Sequence, residues 1–139
     1  LPNSTSKDNK KVFIKDIVRL CRLFFTRTKS KRILLHIEVV TSDMCRFFHV
    51  DNYRQRLLCT YIGPGTEWLD HSNVNRQGLG KGCNSRIVRD FNKINRANEF
   101  DVLLLQGLKY GEGQLGVAHR SPKIEKEART RVLLKIDER

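Results

Sequence analysis

The sequence predicts a mainly β fold, a barrel or jelly-roll sandwich with one N-terminal helix packed outside it. Three observations carry this reading. Apolar residues recur clearly at helical spacing in one place, between Lys11 and Thr28. Beyond Arg32 they gather into short runs rich in Val, Ile and Leu, the composition of strands. Gly, Pro, Asn and Ser clusters separate those runs and mark turns. At least seven short strands are expected, which suits a two-sheet or closed β architecture.

The elements follow in order. Residues 1 to 10 are polar and read as a flexible tail, leaving 11–139 as a single domain. In Lys11–Thr28, Phe13, Ile17, Leu20, Cys21 and Phe24 share one helical face, while Lys15, Asp16, Arg19 and Arg22 fall elsewhere on the wheel. That face is expected to cover a sheet; the alternative is a basic amphipathic helix on a membrane surface. "RILLHIEVV" (Arg32–Val40) is a strand, with His36 as a packed core histidine. After the turn "TSD", Cys45 to Asp51 reads as a second strand, and "RLLCTYI" (Arg56–Ile62) as a third, closed by "GPG".

The middle of the chain is less regular. "DHSNVNRQGLGKGCNS" reads as a long surface loop. Its "GLGKG" lacks the G-x-x-x-x-G-K-[ST] spacing, which excludes a nucleoside-triphosphate loop. "SRIVRDFNKINRANEF" is a short helix or a strand with a turn, and "DVLLLQG" is a buried strand. The Gly-rich "KYGEGQLG" leads to "VAHRSP" and then to a closing strand, "RTRVLLKID". In that strand Arg131, Leu133 and Lys135 share one face, and Val132, Leu134 and Ile136 the other.

Composition narrows the class. The chain has 139 residues, 39% apolar and 30% charged, enough for one globular domain with a core of its own. The apolar runs are far shorter than the roughly 20 residues that span a bilayer. The opening residues lack the apolar middle of a signal peptide, and the first residue is Leu1 rather than Met, as in a fragment. Cys21, Cys45, Cys59 and Cys83 form no CxxC pair, which fits reduced thiols in the cytoplasm better than a secreted scaffold. Asn3-Ser4-Thr5 matches a glycosylation acceptor, read as coincidental without a secretion signal. Lys plus Arg number 27 against 15 acidic residues, a net charge of +12. That excess favours anionic partners: nucleic acid, phosphorylated metabolites or a membrane surface.

The motif with the most chemical content is "FFHVD". On a strand, His49 and Asp51 project from the same face and can converge on one ion. Of the other histidines, His119 at the end of an apolar stretch is the best third ligand, whereas His71 lies in the polar loop and is expected to be exposed. His-x-Asp followed at long range by His is the ligand order of the 2-His-1-carboxylate facial triad, which holds Fe(II) and leaves positions open for oxygen and a co-substrate. A structural zinc site would recruit the cysteines instead. In oxygenases that use 2-oxoglutarate, a basic residue about ten positions after the distal His anchors the co-substrate's far carboxylate. Arg129 and Arg131 both stand near that distance, and guanidinium suits bidentate carboxylate binding. No Ser sits in a G-x-S-x-G elbow, and Cys45 and Cys59 have no evident His partner.

Two resemblances extend the reading. "CRFFHVDNYRQRLLCTYIGPGTEWL", "LLLQG", "GVAHRSP" and "RVLLKID" together resemble an uncharacterised bacterial family known as domain of unknown function 1826, over roughly residues 33 to 137. The resemblance implies that His49, Asp51, His119 and Arg120 belong to recurring motifs, with Gln106 a departure where a Lys is expected. More loosely, the ligand order and strand pattern resemble the double-stranded β-helix of cupins and 2-oxoglutarate oxygenases. That implies Fe(II) on His49, Asp51 and His119, with Arg131 as the leading anchor for 2-oxoglutarate. Arg120 would cap the site, bind an anionic substrate or pair with an acidic neighbour. Arg56 and Tyr61 would line the pocket, although Tyr61 and Trp68 fit the core equally well. Three functions follow as alternatives: an oxygenase of an unknown, anionic substrate; a metal- or ligand-binding cupin without turnover; and a basic nucleic-acid-interaction module.

Overall fold

The computed structural model describes residues 5–124 and 130–139, and within them the chain is mainly β with one N-terminal helix. Helix α1 (Thr5–Thr28) is followed by β1 (Ile33–Val40), β2 (Gln55–Ile62), β3 (Glu67–Trp68), β4 (Asn95–Arg96), β5 (Val102–Gln106), β6 (His119–Arg120) and β7 (Arg131–Glu138). Four single-turn 3₁₀ segments lie between β3 and β4. The strands form two antiparallel sheets, one ordered β1-β7-β2-β5 and the other β4-β3-β6.

Helix α1 begins at Thr5 rather than Lys11, so part of the segment read as a tail is helical. Its stripe of Phe13, Ile17, Leu20, Cys21 and Phe24 covers the first sheet at Leu57, Cys59, Tyr61, Leu134 and Ile136. Leu20 and Phe24 are fully buried, and burial of such side chains stabilises by roughly 2 kcal/mol each. The helix stops where Lys29 turns left-handed (φ 53°) and donates its backbone N–H to the Phe25 carbonyl. No helix among the described residues is long and apolar enough to cross a membrane.

Because α1 covers only one face of the first sheet, strand parity decides what faces the other side. On β2, Leu57, Cys59 and Tyr61 face the helix, which leaves Arg56, Leu58 and Thr60 on the opposite face. On β7, Leu134 and Ile136 face the helix, while Arg131, Leu133 and Lys135 line a cavity on the far face. The ladder between β2 and β7 shifts register between Thr60 and Ile62, a bulge at the end of β2. Gly63-Pro64-Gly65 then carries the chain to the second sheet. Gly65 passes so close to Ala97 that a Cβ would lie 2.0 Å from its carbonyl oxygen, which explains the glycine.

Three sequence expectations need correction. Cys45 to Asp51 is not a strand; its ladder contact is the single bridge between His49 and His119. Cys45 adopts a left-handed conformation (φ 52°), and the Phe48 N–H is taken by the Asn84 side chain, so no ladder propagates. His36 is exposed rather than packed, because β1 is an edge strand with β7 as its ladder partner. The Gly- and Asn-rich middle is more than a surface loop: Val74, Ile87 and Val88 bury with Phe48, Leu69 and Ala118 in a second core. Side-chain amides replace ladder hydrogen bonds there. Asn73 Nδ2 donates to the Asp90 and Lys93 carbonyls, and its Oδ1 accepts from the Asp90 N–H.

Candidate metal centre

His49 and His119 exchange both backbone hydrogen bonds (N–H to carbonyl oxygen 3.0 and 2.9 Å), so they are a directly opposed antiparallel pair. Side chains of such a pair lie on one face, and the two ring centroids are 4.7 Å apart. Asp51 sits two residues beyond His49. Its Oδ1 is 3.7 Å from His49 Nε2, and its Oδ2 is 3.3 Å from His119 Nε2. One ligand atom from each of the three residues lies within 4.8 Å of the others, a spacing that one metal ion can close.

The tautomers are arranged alike. Nδ1 of His49 lies 2.9 Å from the Phe47 carbonyl and Nδ1 of His119 lies 3.1 Å from the Val117 carbonyl. A carbonyl only accepts, so each Nδ1 carries the hydrogen and each Nε2 is free to offer a lone pair. This is the outer support that metal-binding histidines commonly have. Burial is the largest influence on His49 and lowers its pKa, which favours the neutral, ligating ring. Burial would raise the Asp51 pKa, but the neighbouring His119, Arg56 and His49 side chains bring it below its ordinary value.

Arg56 fixes the Asp51 carboxylate in place. Its Nη1 donates to Asp51 Oδ2 at 2.6 Å, while Nε and Nη2 bind Asp137 at 2.5 and 3.0 Å. Asp137 is buried, so Arg56 links the exposed end of the site to a carboxylate inside the sheet.

Arg131 occupies the other end of the same cavity, which measures about 70 Å³ and is lined by His49, His119, Arg56, Arg120, Ser121 and Arg131 among others. It is 1% exposed, and its hydrogen-bond acceptors are three hydroxyls: Ser121 at 3.1 Å, Thr60 at 3.2 Å and Thr66 at 2.6 Å. Its Nε has no partner, and no carboxylate lies within ion-pair distance among the described residues. Burial pushes its pKa down to about 10. Arg129, the other candidate anchor, lies outside the described residues.

The remaining sequence candidates separate. Tyr61 does not line the cavity: its position on β2 has the opposite parity, and its hydroxyl donates to Asp16 of α1 at 2.7 Å. Arg120 reaches the cavity wall, but it donates to buried Glu67 at 2.6 Å and lies over the Phe48 ring. Of its three sequence readings, pairing with an acidic neighbour matches this geometry. His71 is exposed and receives Arg76 at 2.7 Å. Sequence reasoning missed Asp137, Thr60, Thr66 and Ser121. For Asp137 a signal existed, since it continues the Arg131–Leu133–Lys135 face of β7; for the hydroxyls none did.

Compared with known proteins, residues 2–137 match the model of a family described as "Protein of unknown function (DUF1826)". No curated protein and no solved structure matches the chain.

Proposed function

Taking as premise that the chain belongs to the DUF1826 family, we propose from the site itself that it is a non-haem Fe(II)-dependent oxygenase using 2-oxoglutarate. The two-sheet arrangement is read as a small double-stranded β-helix of the cupin kind, and the four free cysteines suit a cytoplasmic setting. His49, Asp51 and His119 would hold the ion; two imidazoles and one carboxylate are a donor set suited to Fe(II). When bound, the iron couples decarboxylation of 2-oxoglutarate to oxidation of a C–H bond, one oxygen atom of O₂ ending in succinate and the other in the product.

The observation that carries this reading is Arg131. A buried guanidinium without a counter-ion is costly, and it is justified when an anion completes it. Around the cavity, Arg56, Arg120, Arg131 and Lys135 are balanced by Asp51, Asp137, Glu67 and Glu38, so a divalent cation would leave two positive charges uncompensated. A dicarboxylate reaching from the metal to Arg131 supplies two negative charges. Thr60, Thr66 and Ser121 orient the guanidinium, and a bound anion would compensate its charge. Arg56 holds the Asp51 carboxylate, and the two backbone carbonyls hold the imidazole tautomers.

The small cavity volume favours a second reading, a metal- and anion-binding protein without turnover. Succinate formation separates the two. Protein loaded with Fe(II) under anaerobic conditions and then given oxygen and 2-oxoglutarate should release succinate. Near-stoichiometric metal without succinate supports the second reading. Arg131→Leu should abolish 2-oxoglutarate binding, measured by calorimetry with Mn(II) in place of iron, while metal affinity stays within about threefold. Equal loss of both would show Arg131 serving the fold instead.

A further inference from the structure

Between β3 and β4 the chain builds a groove of about 490 Å³ that shares no residue with the metal cavity. Lys81, Arg86 and Arg89 line it, with the amide and hydroxyl side chains of Asn75, Gln77 and Ser85. No acidic residue lines it. All three cationic side chains are exposed, and none has a carboxylate within ion-pair distance among the described residues.

The walls are held rigidly. Asn75 N–H donates to the Ile87 carbonyl at 2.7 Å, and Asn75 Nδ2 donates to the Arg86 carbonyl at 2.9 Å. Val74 and Val88 bridge beneath, both buried in the second core. Gly78 lets the walls approach: a Cβ there would lie 2.1 Å from the Arg86 carbonyl oxygen. The cations therefore sit on a scaffold rather than on a loose loop.

We propose that this groove binds the phosphate backbone of single-stranded nucleic acid, without regard to base identity. Three unneutralised cations along a concave, acid-free surface match a chain of phosphates. No aromatic residue lines the groove, so it offers no platform for stacking a base and no slot for a free nucleotide's base. The backbone of a few nucleotides fits the groove, and a flexible single strand can follow its concave wall where a stiff duplex cannot. The overall charge of +12 adds long-range attraction for such a polyanion.

The test is fluorescence anisotropy of a labelled 20-nucleotide single strand against metal-free protein at 50–300 mM salt. Replacing Lys81→Ala, Arg86→Ala and Arg89→Ala together should weaken binding about 100-fold near 0.1 M salt and flatten the log–log salt slope by about 2, the effect of losing three phosphate contacts. A control with the same loss of charge, Arg27→Ala, Lys31→Ala and Arg32→Ala, should stay within about threefold of the parent protein. His49→Ala should bind like the parent, and oligo(dT) should match a mixed sequence within about threefold. Equal loss in the control would assign binding to net charge and overturn the proposal. It would also be overturned if the parent protein failed to bind at 50 mM salt, or if ATP displaced the strand at low micromolar concentration.

Discussion

Arg56 is the side chain on which the orientation of Asp51 depends. It lies between two carboxylates, one in the candidate site and one buried in β7, and the geometry toward Asp137 is the two-pronged form that guanidinium favours. Removing it leaves Asp137 charged in the sheet interior. Arg56→Met should therefore lower stability in urea by about 3–5 kcal/mol, and adding Asp137→Leu should restore more than half of that loss. Full stability in the single variant would show that Asp137 has another partner. Tyr61 makes a second residue-scale point, on the helix side. Burial, reinforced by the hydrogen bond to Asp16, raises its phenol well above the ordinary range. The unfolded chain releases that proton near pH 10 while the native protein keeps it, so this stabilisation is complete below pH 10 and declines above it. Urea midpoints should fall between about pH 9.5 and 11 in the parent protein, and Tyr61→Phe should remove part of that decline.

At the scale of elements, β7 separates stability from site chemistry by parity. Leu134 is fully buried against α1, whereas Leu133 packs with Leu58 and Leu105 and lines the cavity. Leu134→Ala should cost about 3 kcal/mol in urea with metal stoichiometry unchanged. Leu133→Ala should also destabilise, but it enlarges the cavity and should change 2-oxoglutarate affinity. If Leu134→Ala loses metal under native conditions, the two faces are not independent. The same parity explains what could be read from sequence. The strands β1, β2, β5 and β7 were legible because each is rich in Val, Ile and Leu, and alternation separated the two faces of β7 without saying which of them is inward. The His49–Asp51 pair was legible from its i, i+2 spacing, although the segment is not the expected strand, and the single bridge between His49 and His119 brings the third residue beside it. The segment around Cys45 and the chain between β3 and β4 were not, because there Asn73 and Asn84 satisfy backbone groups across 17 and 36 residues. Side-chain hydrogen bonds of that range leave no periodic trace.

At the scale of the whole molecule, the candidate metal centre stands where the two sheets meet. His119 belongs to β6 of the second sheet, and Asp51 leads into β2 of the first, to which Arg56 ties it. Arg131 crosses the same junction, from β7 to Thr66 and Ser121. An ion bound by all three ligands would hold this junction closed only in the folded chain, because unfolding separates His119 from the His49–Asp51 pair. Binding that is confined to the native state stabilises it by mass action, about 2.7 kcal/mol at a hundredfold excess over the dissociation constant. For a domain of this size that is a rise in Tm on the order of 10 °C. Thermal unfolding should therefore shift by about that much with Fe(II) under anaerobic conditions, and by a smaller amount with more weakly bound Mn(II). The informative quantity is the metal-dependent increment rather than Tm itself, since His119→Ala and Asp51→Asn also change the metal-free protein. In each variant the increment should fall below about 2 °C, and EDTA should return the parent protein to its metal-free Tm. An increment that survives His119→Ala would place the ion elsewhere, and the junction would then rest on Arg56 and Arg131 alone.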